Sequence, residues 1–134
     1  MPTEQSVAYD DLYYNAAHSY EYDGKLYSGV AEEQFDDGKL RCRFRFHNGQ
    51  QHGDAEEYYR TGAKRSVTPY VNGAVHGRTI EWHENGRIHI ERDNEYGIMM
   101  QSREFDESGT LVNEYSRPDD DPMSVLVRKR RGGS

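Results

Sequence analysis

Six histidines, one cysteine and a set of evenly spaced glutamates are the residues of this chain that could do chemistry. His52 and His76 stand at matching places just before Gly53 and Gly77, but on successive hairpins they would lie roughly 10 Å apart, too far to share one metal ion. His83 and His89 flank Asn85-Gly86, and a two-residue turn there sets His83 against Ile88 and Trp82 against His89, so their rings should face apart. Asp119-Asp120-Asp121 lacks the spaced ligands of a calcium loop. Cys42 lies in an apolar row and reads as a small packed side chain, and there is neither a Gly-x-Ser-x-Gly nucleophile nor a phosphate-cradling glycine loop. The expectation is a chain with no catalytic residues, no metal and no cofactor. The glutamates remain: Glu33, Glu57, Glu81 and Glu104 recur at intervals of 24, 24 and 23 residues.

The elements that position this column follow from the glycines. Gly38, Gly62, Gly86 and Gly109 step by 24, 24 and 23, Gly49, Gly73 and Gly97 by 24 and 24, and Gly29, Gly53 and Gly77 by 24 and 24. Most follow a turn-forming residue, as in Asp23-Gly24, Asp37-Gly38, Asn48-Gly49, Asn72-Gly73 and Asn85-Gly86, which predicts a two-residue type I′ tip at each pair. Between tips there is room for strands of five to eight residues and for no helix, so the sequence predicts an all-β, antiparallel meander. Two-residue tips would place Asp36 opposite Lys39 and Glu84 opposite Arg87. Next to the glutamates runs a second column, Gln34, Tyr58, Trp82 and Phe105; neighbours along a strand point to opposite faces, so acid and aromatic rows should occupy opposite sides of the sheet. Leu40, Cys42, Phe44 and Phe46 alternate with basic residues, one apolar face against one basic. Residues 63–71 break that alternation and contain Pro69, which suggests a bulge or a weak edge, and their faces cannot be assigned from pattern.

Composition agrees with a thin sheet. Of 134 residues 34% are hydrophobic and 31% charged, with 13 glycines and 16 aromatics, too little apolar material for a thick core. The net charge is −7. The tail from Arg117 to Ser134 holds five of the cations and three of the acids, leaving twelve cations against twenty-one acids, −9, on residues 1–116. Such a body repels phosphate backbones and anionic headgroups; it disfavours nucleic acid and membrane surfaces and favours basic partners. One cysteine forms no internal disulfide, no apolar run reaches membrane-spanning length and the first residues do not read as a signal peptide, so the cytoplasm is the expected location.

The unit G-x-x-x-E-aromatic-x-x-[N/D/T]-G-x-[L/I], carried by Glu57-Tyr58-Tyr59 with Gly62, Glu81-Trp82 with Asn85-Gly86, and Glu104-Phe105 with Gly109, resembles the MORN repeat. Its tyrosine-rich form is similar to bacterial YwqK-like antitoxins. The resemblance covers residues 22–116, with 1–21 as an N-terminal segment holding a degenerate half repeat and 117–134 as a tail. Gln34 and Met100 depart from the pattern in the outer copies, where capping repeats are commonly atypical. What the resemblance implies is an elongated single-layer sheet that serves as a binding platform, in bacteria as the antitoxin or immunity partner of a toxin, in eukaryotes at membranes or in scaffolds.

The partner-binding candidates are accordingly Glu33, Glu57, Glu81 and Glu104 with Tyr58, Tyr59, Trp82 and Phe105, and the turns Gly38, Gly49, Gly62, Gly73, Gly86 and Gly109 are structural. Two readings stand side by side for each row. The rings are a hot-spot patch or the packing material of the sheet, and the carboxylates are a decoy for a cationic active site or ordinary solvated side chains. In the tail, Met123 to Val127 could add a final strand over an open edge, followed by the basic run Arg128 to Arg131. The expected function is non-enzymatic neutralisation of a toxin with a basic surface, with self-association as the alternative and a peripheral membrane role the least favoured.

Overall fold

The computed structural model describes residues 5–132; residues 1–4 and 133–134, the ends of the N-terminal segment and of the tail, lie outside it. The fold is all-β, with 55% of the described residues in strands and 9% helical. After β1 (Ser6–Ala8) and a 3-10 turn at Tyr9–Asp11 come β2 (Tyr13–Tyr14), β3 (Tyr20–Tyr22) and β4 (Lys25–Leu26), which form a small three-stranded sheet. The main sheet follows: β5 (Gly29–Gln34), β6 (Leu40–His47), β7 (Gln50–Gln51), β8 (Gly53–Tyr58), β9 (Lys64–Val71), β10 (Ala74–Val75), β11 (Gly77–Trp82), β12 (Ile88–Glu95), β13 (Ile98–Phe105) and β14 (Leu111–Ser116). Its strands run in the order β1-β5-β6-β8-β9-β11-β12-β13-β14, with β7 and β10 folded back on β6 and β9. All neighbours are antiparallel except β1, which adds to β5 in parallel. β9 is thus an interior strand, and Pro69 sits where the β11 ladder, present at Ser66 and Val67, has already ended.

Two kinds of tip alternate. At Asp23-Gly24, Asn48-Gly49, Asn72-Gly73 and Tyr96-Gly97 both residues are left-handed, as a type I′ turn requires. At Gly38, Gly62, Gly86 and Gly109 only the glycine is left-handed, and the loop is longer: Gly38 N–H donates to Phe35 O (2.9 Å) and Phe35 N–H to Lys39 O (2.7 Å). The expected two-residue turn is corrected at these four tips. The residue before the glycine is held at negative φ, where its side chain accepts the N–H two residues on, Asp37 from Lys39 (2.9 Å), Thr61 from Ala63 (3.3 Å) and Asn85 from Arg87 (2.9 Å). Neither of the expected turn pairs forms: Asp36 pairs with Arg60 (2.8 Å), and the Arg87 guanidinium donates to Ser108 O.

Each longer loop is followed by a bulge at the same place. Glu33 faces Cys42 but Gln34 faces Leu40, Glu57 faces Ser66 but Tyr58 faces Lys64, Glu81 faces Ile90 but Trp82 faces Ile88, and Glu104 faces Asn113 but Phe105 faces Leu111. The extra residues, Arg41, Arg65, His89 and Val112, join the glutamate face. Leu40 is thereby turned away from Cys42 and Phe44, correcting the simple alternation, and the irregularity in residues 63–71 falls at Arg65 rather than at the proline.

The core is small and lies at the N-terminal end. Tyr27, Ala31 and Phe46 are buried beneath Tyr9, Tyr20, Tyr22, Phe44, Val7 and Leu12, and the Tyr27 hydroxyl donates to Val30 O (2.6 Å). At the other end, residues 123–127 are not a strand but part of helix α1 (Pro122–Arg130). Asp121 caps it by accepting from Met123 N–H (2.8 Å), Pro122 occupies its first turn and Arg128, Lys129 and Arg130 its last, three features that favour a helix. Val127 and Ser124 are its buried side, against β13.

The turn glycines predict a graded response to added side chains. A Cβ on Gly38 meets nothing within 4 Å, so Gly38→Ala should cost only the left-handed backbone penalty, about 1 kcal/mol. On Gly49 it would lie 2.8 Å from Leu26 Cδ2 and 3.1 Å from Tyr20 O. Gly49→Ala should lower the urea midpoint clearly more than Gly38→Ala; equal losses would show that the Gly49 turn is not packed on the preceding hairpin.

Candidate functional site

The ladder register sorts the polar residues into two unlike faces. One carries the row Glu33, Cys42, Glu57, Ser66, Glu81, Ile90, Glu104 and Asn113 across successive strands. The other carries Glu32, Arg43, Glu56, Val67, Ile80, Glu91, Arg103 and Glu114. On this second face the glutamates other than Glu114 are matched: Glu32 with Arg43 (2.6 Å), Glu56 with Arg45 (2.6 Å) and Lys64 (3.4 Å), and Glu91 with Arg78 (3.3 Å) and Arg103 (3.7 Å).

On the glutamate face the matching is incomplete. Glu81 accepts from Arg92 (2.8 Å) and Glu104 lies 3.4 Å from His89. Glu57 accepts only from the Ser66 hydroxyl (2.9 Å), Glu33 faces the Cys42 thiol (3.8 Å), and among the described residues neither forms an ion pair. Cys42 is buried; desolvation first, then the Glu33 charge, pushes its thiol up to about 11, so at neutral pH it is a packed thiol and not a nucleophile.

The candidate binding residues therefore divide. Tyr58, Trp82 and Phe105, half-buried and outside the core cluster, share the ion-paired face; the Tyr58 hydroxyl donates to Glu56 (2.9 Å). Tyr59 shares the face of the glutamates and donates to Trp82 O (2.6 Å), tying one repeat to the next. One flat partner cannot touch both rows. The bulges add a third row that sequence reasoning missed: Arg41 lies 5.9 Å from the Phe35 ring, Arg65 5.8 Å from Tyr59, and His89 stacks on His83 with centroids 4.2 Å apart. The two histidines thus face each other, against expectation, because the bulge carries His89 to the side of His83. The available signal was Thr61, a β-branched residue ill suited to positive φ, which argues against a two-residue tip in that column. Among the described residues no three His, Cys, Asp or Glu side chains group as metal ligands, and no helix is long and apolar enough to cross a membrane.

The ion-paired face predicts an acid response. Burial pushes the Glu56 carboxyl up, but hydrogen bonds from Arg45 and Tyr58 and the charges of Arg45 and Lys64 outweigh it and hold the group below its ordinary value. A carboxyl depressed in the folded state stabilises at neutral pH, and that contribution disappears as pH falls below the ordinary carboxylate value of about 4.3. The urea midpoint should drop between pH 5 and pH 3, and Glu56→Gln should lower it at pH 7 while flattening part of that drop; an unchanged pH profile in the variant would remove Glu56 from the account.

Residues 51–72, which run from β7 through β8 to the end of β9, match the MORN repeat variant. No curated protein and no solved structure matches the chain. MORN repeats are protein- or membrane-binding modules rather than catalytic ones. The match at 51–72, together with the same hairpin geometry at the same period on either side of it, supports a MORN-repeat protein.

Proposed function

We propose that this chain is a non-enzymatic, cytoplasmic antitoxin or immunity-type protein whose glutamate face covers the active site of a cationic partner toxin. The observation that carries this reading is the contrast between the faces. One is largely neutralised by its own arginines and lysine, whereas the other leaves Glu33 and Glu57 without a cation among the described residues. A basic partner pairs with carboxylates that have no competing intramolecular cation at lower desolvation cost than with ones already ion-paired. The body charge of −9 steers such a partner in and makes its capture depend on ionic strength.

The test is capture of the partner by affinity purification, its separate production, and measurement of both binding and inhibition. The association rate should fall as salt rises and fall several-fold in Glu33→Lys/Glu57→Lys, with inhibition weakening in parallel. Full binding by that double variant, with loss instead in Tyr58→Ala/Trp82→Ala, would assign the function to the opposite face.

A second reading has one specific observation behind it. β14 is an edge strand with every residue exposed, Val112 at 57% and Leu111 at 44%, and an uncovered edge of this kind pairs with another chain. Light scattering that gives a monomer mass at micromolar concentration excludes self-association as the function.

A further inference from the structure

Beside the left-handed tips lie two neighbouring shallow depressions, neither lined by Glu33 or Glu57, that together make a candidate groove. These depressions, of about 410 and 360 Å³, meet at Asn72 and Ala74. Tyr96 and Arg130 line the first, Tyr14 and His18 the second. Among the described residues, no carboxylate lines either depression. The first is lined by Val71, Ala74 and Tyr96 with the donors His76 and Arg130, the second by Tyr14, Tyr20 and His18 with the amides of Gln50, Gln51 and Asn72.

The polar groups of the groove follow from its hydrogen bonds. His76 Nδ1 accepts the Tyr96 N–H (3.1 Å), so the neutral ring carries its proton on Nε2 and is left with a donor. Arg130 rests 5.9 Å from the Tyr96 ring and, among the described residues, makes no ion pair. Val71 and Tyr14 leave 43% and 52% of their surface exposed. Tyr96 itself is held at φ +53°, a left-handed position that the other three tips give to Asp23, Asn48 and Asn72. A tyrosine there is strained, and strain of this kind persists where the side chain is needed. Here the ring packs on His76 (centroids 4.9 Å) and its hydroxyl donates to Arg130 O (3.0 Å), so the strained residue builds part of the first depression's lining.

We propose that this groove binds an extended segment of a partner protein that alternates acidic and apolar side chains. A carboxylate pairs with Arg130 and takes the His76 donor, and apolar groups cover Val71, Ala74 and Tyr14. Successive tips lie roughly 9–10 Å apart, so a groove along the Gly49, Gly73 and Gly97 tips is about 20 Å long and holds about six extended residues. The absence of carboxylates from the lining selects an acidic segment over a basic one. The surface is separate from Glu33 and Glu57 and can act with or without the glutamate face.

Fluorescence anisotropy of the full chain with a labelled hexapeptide of alternating Glu and Leu, and with its Lys-Leu counterpart, tests the site. The Glu-Leu peptide should bind saturably, about tenfold more weakly to Arg130→Gln or Ala74→Glu, and unchanged to a variant of the exposed loop residue Glu107, Glu107→Gln. Tyr96→Asn restores the residue type of the other tips and should keep the fold, judged by its urea midpoint, while losing most of the binding. Absent saturation, equal binding of the Lys-Leu peptide, or unchanged affinity in Arg130→Gln and Tyr96→Asn would each overturn the proposal.

Discussion

A one-layer sheet encloses little, so its hairpins must be fastened to one another by something other than a common core, and here the fastener is the left-handed tip. Gly49 N–H donates to Tyr27 O, Gly73 N–H to Gln51 O and Gly97 N–H to Val75 O, each at 2.8 Å and each 22 residues back. The residue before each glycine is tied as well, Asn48 to the Ser28 hydroxyl, Asn72 to His52 Nδ1 and Tyr96 to His76 Nδ1. His52 and His76, which look from their spacing like half of a metal site, are acceptors for the next turn. The period of 24 is thus the distance at which one tip can dock on the previous one, and stability runs from neighbour to neighbour as in other repeat folds.

The other row of tips sets the chemistry of the faces. Because those loops are one residue longer, each hairpin carries a bulge just beyond its glutamate, which places Arg41, Arg65 and His89 on the acid face. The ends are treated differently from the repeats. Aromatic residues of the N-terminal segment bury Tyr27 and Phe46 at one end, while α1 covers β13 at the other and leaves β14 open.

Much of this was legible in the sequence because it rests on types with narrow conformational roles. Glycine after Asn or Asp marked the tips, and the columns beginning at Glu33 and Gln34 gave the opposite-face rule that the ladder register obeys. Bulges were not legible, since they depend on whether one residue before a glycine has positive φ, and Asp37 and Asn85 permit either sign; only Thr61 discriminates. Helix α1 was hidden because Met123 to Val127 is equally apolar as strand or helix, and its determinants, Asp121 and Pro122, lie outside that window. The ion pairing that separates one face from the other depends on long side chains whose partners sit on neighbouring strands, and sequence spacing does not identify them.

The central claim, that the unpaired Glu33 and Glu57 of the glutamate face meet a cationic partner, is tested most directly by carbodiimide labelling of carboxylates with glycine ethyl ester, read by peptide mass spectrometry for the free chain and its captured complex. The account predicts that Glu33 and Glu57 label faster than the paired Glu32 and Glu56 in the free chain, and become protected in the complex. Protection confined to Glu32, Glu56 and Glu91, with Glu57 as reactive as before, would contradict it.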